Sequence, residues 1–151
     1  MKPRLVIGLG NPLMGDEGVG WHVASRLAGD PRLPADTETL RGGTDLLRFA
    51  DRIEGRSRVI LVDAMQSAAP PGSVTPFEDC AELEDRQTNA HELSAAQAMR
   101  LLRMLMPVRF TLLGVSIGSA AAGDELSPAV EARMPAILDR VLEELGWNSS
   151  R

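Results

Sequence analysis

The chain has 151 residues, 44% hydrophobic and 25% charged, with a formal net charge of −5. That length suits one domain that buries its own core, and an acidic balance with dispersed basic residues argues against nucleic acid as a partner. The single cysteine, Cys80, excludes an intramolecular disulfide framework and a cysteine-rich metal centre, which fits a reducing compartment and makes the cytoplasm the expected location. The apolar stretch ahead of Gly10 is too short for a signal-peptide core, and no apolar run approaches the roughly 20 residues of a membrane span, so no membrane association is expected.

In chain order, Arg4–Gly8 reads as a strand covered on both faces, because it is short and rich in Val, Ile and Leu. It runs into Gly8-Leu9-Gly10-Asn11-Pro12-Leu13-Met14-Gly15-Asp16-Glu17-Gly18-Val19-Gly20. In nucleotide-binding folds such glycines let backbone N–H groups approach an anion at a helix N-terminus. Here Asp16 and Glu17 replace the Lys-Ser/Thr of a Walker A loop, and Leu13 stands where the dinucleotide fingerprint needs its third glycine. The anions are built into the protein. A helix follows over Val19–Leu27, with Asp16 a candidate cap, a role supporting the site from behind being the less favoured alternative, and His22 read as structural or surface. Thr37–Arg41 is a weaker strand. Gly42-Gly43-Thr44 then reads either as a turn whose N–H groups hold an extended peptide or as an ordinary strand-to-helix turn with Thr44 as N-cap. The spacing of Leu46, Leu47, Phe49, Ala50 and Ile53 predicts a helix over Leu46–Ile53.

Arg58–Ala64 is the next central strand, with Asp63 closing Val59-Ile60-Leu61-Val62. A turn-forming stretch over Gln66–Gly72 leads to a short edge strand at Ser73–Phe77. The acidic stretch Glu78–Asp85 reads as a solvated loop, with a specificity loop as the alternative. Asn89-x-x-Glu92 and Ser94-x-x-Gln97 are overlapping capping signatures of a helix that runs to about Met106 and is stopped by Pro107, which puts His91 beside its N-terminus. Phe110–Ile117 is the last central strand. Within it Gly114-Val115-Ser116-Ile117-Gly118 matches a nucleophile-elbow pattern, but Ser116 sits in an apolar run, which disfavours a serine hydrolase. Ser127-Pro128 opens the final helix, Pro135 is expected to kink or interrupt it, and Gly146 ends it. Residues 1–147 read as a single domain and 148–151 as a flexible tail.

Strands alternating with helices predict an α/β fold: a three-layer α/β/α single domain with a largely parallel, mixed twisted sheet. Sites in such sheets form at the carboxyl ends of strands. Glu17, Asp63 and His91 all fall near such ends or in the loops that follow. One Glu, one Asp and one His from separate segments can make an oxygen/nitrogen site for a divalent first-row metal with open positions for water or substrate. Each also has a plainer reading: Glu17 as an acid complementing a helix dipole, Asp63 as a strand-end turn residue, His91 as a surface neighbour of a cap.

These motifs together resemble the hydrogenase maturation protease family, the endopeptidases that trim the large subunit of nickel–iron hydrogenases. The resemblance spans Leu5 to the final helix and is strongest over Gly8–Gly20; Val62-Asp63-Ala64, Pro71-Gly72 and His91 before a helix follow in matching order. It implies that Glu17, Asp63 and His91 are the metal-contacting and catalytic residues. It also implies that Gly42, Gly43 and Thr44 position the substrate, and that the substrate is a large-subunit precursor whose C-terminal extension is removed after nickel insertion. Nickel then arrives with the substrate, no organic cofactor is expected, and the mechanism is left open between aspartic-type and metal-dependent proteolysis. The chain departs from the family at Arg41-Gly42-Gly43-Thr44-Asp45, where an acidic residue usually precedes Gly-Gly-Thr, so cleavage-site preference is not transferred. A peptidyl-tRNA hydrolase shares a start like Val6–Pro12, but this chain has Asp16-Glu17-Gly18-Val19-Gly20 where that family carries its catalytic histidine motif. A non-cutting, metal-sensing chaperone for the precursor has the same composition and stays open from sequence. With no dedicated association element, a monomer is expected.

Overall fold

The computed structural model describes residues 1–78, 90–118 and 122–148, with the side chains of residues 90–94 outside that description. The Val/Ile/Leu runs form strands buried on both faces: β1 (Arg4–Leu9), β3 (Arg58–Gln66) and β5 (Arg109–Ile117). β2 (Thr37–Gly43) and β4 (Val74–Phe77) lie at the two edges of the order β2-β1-β3-β5-β4. The pairings β1–β2, β1–β3 and β3–β5 are parallel and β4 is antiparallel to β5, so the sheet is mixed as expected.

Helices cover both faces. On one side α1 (Val19–Ala28) and α4 (Pro128–Glu144) bury Val19, Val23, Met134 and Val141 against Val6, Ile60 and Leu113. On the other, α2 (Ala50–Ile53) and α3 (Ala90–Leu105) pack Ile53, Met99 and Leu102 against Leu5, Ile7 and Leu61. Because α1 leaves β1 on one face and α2 leaves β2 on the other, strand order reverses between β1 and β3. Their carboxyl ends therefore bound the crevice in which α/β sheets place ligands.

Two expectations need correction. Leu46–Ile53 is not one helix but a 3-10 turn over Leu46–Phe49 followed by the four-residue α2, and its N-cap is Asp45, whose side chain accepts from Leu47 N–H, rather than Thr44. Pro135 does not interrupt the last helix, which runs unbroken through it. Proline removes the donor for the Glu131 carbonyl, but Glu131 and Pro135 are both exposed, so water can serve that carbonyl. Asn89, Cys80 and nearly all of the acidic stretch lie outside the described residues, as does the tail beyond Asn148.

Candidate active site

β1 ends where the glycine-rich turn begins, and glycine is required there twice over. Gly10 has a φ of 121°, which L side chains rarely adopt, and a Cβ on it would overlap the carbonyl oxygen of Glu17. A Cβ on Gly20, in the first turn of α1, would overlap the carbonyl oxygens of Leu9 and Val62. This backbone-to-backbone approach seats the start of α1 directly on the ends of β1 and β3. The turn between them closes as a 3-10 turn over Gly15–Gly18 packed against β3. Glu17 lies in this turn, its carbonyl against Gly10 at the end of β1, partly buried and with no hydrogen bond or ion pair to its carboxylate among the described residues. Glu17 lies in the 3-10 turn that leads into α1, one residue ahead of the Gly18 N-cap, a position that still complements the helix dipole.

Asp63 approaches from the neighbouring strand. The last β1–β3 pair is Gly8↔Val62, so Asp63 is the first residue of β3 beyond the point where β1 leaves the sheet. It is 2% exposed, and its Oδ1 accepts the Ala64 N–H at 2.8 Å. A carboxylate held this deep costs several kcal/mol in desolvation unless a partner or ligand offsets it, on the order given for buried charges.

His91 is the second residue of α3. The helix ends at Leu105, close in sequence to the amino end of β5, and 16 residues at about 1.5 Å each carry its first turn back toward the carboxyl rim of the sheet. Its side chain is outside the described set. Among the described residues no group of three or more His, Cys, Asp and Glu is arranged to hold a metal ion. What the description contains of the expected trio is its two carboxylate members, Asp63 within β3 and Glu17 in the 3-10 turn packed against that strand.

Gly42 and Gly43 are not in the expected turn but are the last two residues of β2, with the turn residue Thr44 after them, beside the end of β1. The β1–β2 register slips between Gly8↔Arg41 and Leu9↔Gly43, leaving Gly42 as the extra residue, and the Gly43 carbonyl accepts Gly10 N–H at 2.6 Å. The ends of β1 and β2 are thereby fastened together, with Thr44 exposed beyond them. Arg41, also exposed, lays its guanidinium 5.2 Å from the Trp21 ring centroid, which fixes a cation beside the turn.

Other candidates separate from the crevice. Ser116 is fully buried in β5 and hydrogen-bonds Ser67 Oγ at 2.8 Å, so it is no exposed nucleophile. His22 lies edge-on to Trp21, and burial, reinforced by Arg26, holds its imidazole below its ordinary pKa. Asp16 caps neither the 3-10 turn nor α1; it is 4% exposed and binds Ser127 at the start of α4, a contact with no local sequence signal.

Comparison with known proteins agrees with this geometry. A family model described as hydrogenase maturation protease matches residues 21–144. The hydrogenase 2 maturation protease of Escherichia coli K12 is 32% identical over 146 residues, covering 93% of this chain and 89% of the relative. The solved hydrogenase maturating endopeptidase HybD from E. coli superposes with a TM-score of 0.80 at 30% identity, covering 94% of this chain and 91% of the other. The NiFe hydrogenase maturation protease HybD from Thermococcus kodakarensis gives 0.77 at 29% identity, covering 94% and 97%. The glycine-rich turn with its carboxylate, the buried aspartate of the next strand, and these matches converge: the chain belongs to the hydrogenase maturation protease family and is a peptidase of hydrogenase maturation.

Proposed function

We propose that this protein removes the C-terminal extension of a nickel-loaded hydrogenase large-subunit precursor, using Glu17, Asp63 and His91 to contact the nickel that the precursor carries. The observation that carries this reading is the pair of carboxylates at the β1/β3 switch point: buried Asp63 and Glu17, whose side chain has no ion pair among the described residues. Two carboxylates and an imidazole are donors suited to a divalent first-row ion, and an incomplete donor set is what a cation arriving with other ligands requires.

In the proposed reaction the extended peptide lies along Gly42, Gly43 and Thr44, whose backbone groups orient it, while contact with the nickel holds the precursor in register. Water adds to the scissile carbonyl, the C–N bond breaks, and the new amine leaves with a proton. Of the two carboxylates Glu17 has the greater solvent access and takes the proton of the attacking water; Asp63, held by Ala64 N–H, orients the site. The enzyme needs no organic cofactor. No helix among the described residues is long and apolar enough to cross a membrane, and a monomeric, cytoplasmic enzyme is part of the same proposal. So is the assignment of residues 1–147 to one protease domain, supported by a single sheet whose two helical layers draw on segments from the whole chain.

The test is to incubate nickel-loaded precursor with the wild-type protein, with Glu17→Gln and with His91→Ala, reading the precursor's mass and checking each variant's fold by circular dichroism. Cleavage by the wild type and more than about a thousand-fold loss in both folded variants is expected. Normal cleavage by both variants removes the proposed site.

A further inference from the structure

Resting on the role proposed for Glu17, we propose that the neighbouring Asp16 is a positioning residue: by docking on Ser127 it fixes the turn that aims the Glu17 carboxylate.

The turn is poorly held by its own sequence. It contains Gly10, Gly15 and Gly18, and Gly15 as well as Gly10 has a positive φ. Neither the 3-10 turn nor α1 has a side-chain N-cap. The Glu17 N–H reaches the Met14 carbonyl only at 3.2 Å, and the Asn11 side chain bonds within the turn, to Leu13 N–H. A chain this rich in glycine has many accessible conformations, so a single orientation for Glu17 has to be imposed from outside.

That restraint comes from the segment ahead of α4. Gly15 N–H donates to the Gly123 carbonyl, and Gly123 N–H to the Leu13 carbonyl, both at 2.8 Å. Asp16 completes the attachment: Oδ1 accepts Ser127 N–H and Oδ2 accepts the Ser127 hydroxyl, each at 2.7 Å. Among the described residues these are the side-chain hydrogen bonds that tie the turn to the rest of the protein. The same hydroxyl oxygen accepts Val130 N–H at 3.4 Å, so Ser127 couples Asp16 to the N-terminus of a 17-residue helix. Carboxylate bonds of this length, from a residue only 4% exposed, are the stronger kind. In a 3-10 turn successive side chains diverge by about a third of a rotation, so seating Asp16 against α4 turns Glu17 away from it.

The test uses Asp16→Ala, Asp16→Asn and Ser127→Ala in the full chain, with steady-state cleavage of nickel-loaded precursor measured below each variant's melting temperature. Misplacing a catalytic group by about 1 Å costs up to about a hundred-fold in rate, so Asp16→Ala is expected to lose ten- to a hundred-fold in kcat with KM within two-fold. Asp16→Asn keeps an acceptor for Ser127 N–H and offers its amide to the hydroxyl, so it is expected to recover most of that loss. Ser127→Ala keeps the backbone bond and loses less than Asp16→Ala; it carries the test if Asp16→Ala does not fold. Arg26→Ala, which cuts a separate α1–α4 tie, the exposed ion pair to Glu131, serves as the stability control and leaves kcat unchanged. Wild-type kcat in folded Asp16→Ala, or in Ser127→Ala if Asp16→Ala is unfolded, overturns the proposal, as does an equal fall of kcat in Arg26→Ala. Absence of cleavage by the wild type counts instead against the proposed function.

Discussion

The two ends of the sheet handle charge in opposite ways. At the amino end Arg4, Arg58 and Arg109 stand in register at the starts of β1, β3 and β5, a row of like charges that each find an acceptor. Arg4 pairs with Asp36 and also donates to the Leu145 carbonyl at the end of α4; Arg58 pairs with Glu144; Arg109 reaches Glu78. Nearby, Arg56 is almost wholly buried and is matched by Glu38 and by the Lys2 and Arg52 carbonyls. At the carboxyl end, Asp63 is buried and Glu17 has no ion pair among the described residues. The amino rim is neutralised by ion pairs within the protein, whereas Glu17 at the opposite end has no such match among the described residues. On the proposed function, charge at the amino end serves the fold and charge at the crevice serves the substrate.

The contrast is sharpest when charge is removed from each end. Glu17→Gln is expected to abolish processing while changing stability by less than about 0.5 kcal/mol, because no partner among the described residues is lost; thermal melting checks it, and a large drop would make Glu17 a structural acid. Gly20→Ala breaks the seat of the crevice instead. Its Cβ would meet backbone oxygens that cannot swing aside, and a loss of ~3 kcal/mol in urea unfolding is expected. At the amino end Glu38→Ala strands the Arg56 guanidinium and is expected to cost ~2 kcal/mol with cleavage per folded molecule unchanged.

The same pair gives a pH dependence. The Arg56 hydrogen bond holds the Glu38 carboxyl below its ordinary pKa of 4.5, so its contribution is complete above that value and is lost as pH falls through the lower, folded-state pKa. Acid melting curves of wild type and Glu38→Ala should therefore converge below pH 4.5 and stay apart at neutral pH. The smallest effect is expected for Arg109→Ala: both side chains of its pair with Glu78 are about two-thirds exposed, and removing it should shift stability by less than ~0.5 kcal/mol.

Much of this was legible in the sequence, for physical reasons that also mark the boundary. The central strands announce themselves because burial on both faces demands unbroken Val, Ile and Leu. β2 is fainter because an edge strand tolerates Thr37, Glu38, Thr39 and Arg41. Local pattern ends the strand near Asp63, yet β3 runs on to Gln66 because its pairing with β5 continues beyond the last β1–β3 pair; the same kind of pattern sets Glu17 past β1. The docking of Asp16 on Ser127 could not be read locally, since it joins residues 111 positions apart. Choosing between Thr44 and Asp45 as a cap turns on one residue of offset, which adjacent capping residues leave undecided. Pro135 does not break the helix because its cost depends on whether the orphaned carbonyl faces water, a property of the packed helix.

The central claim is that the crevice reads a cation brought by the substrate. The direct measurement is the C-terminal mass of the large-subunit precursor after incubation with the enzyme, prepared with and without nickel. Loss of the extension from the nickel-loaded form alone is the expected result, and equal cleavage of both forms would contradict it.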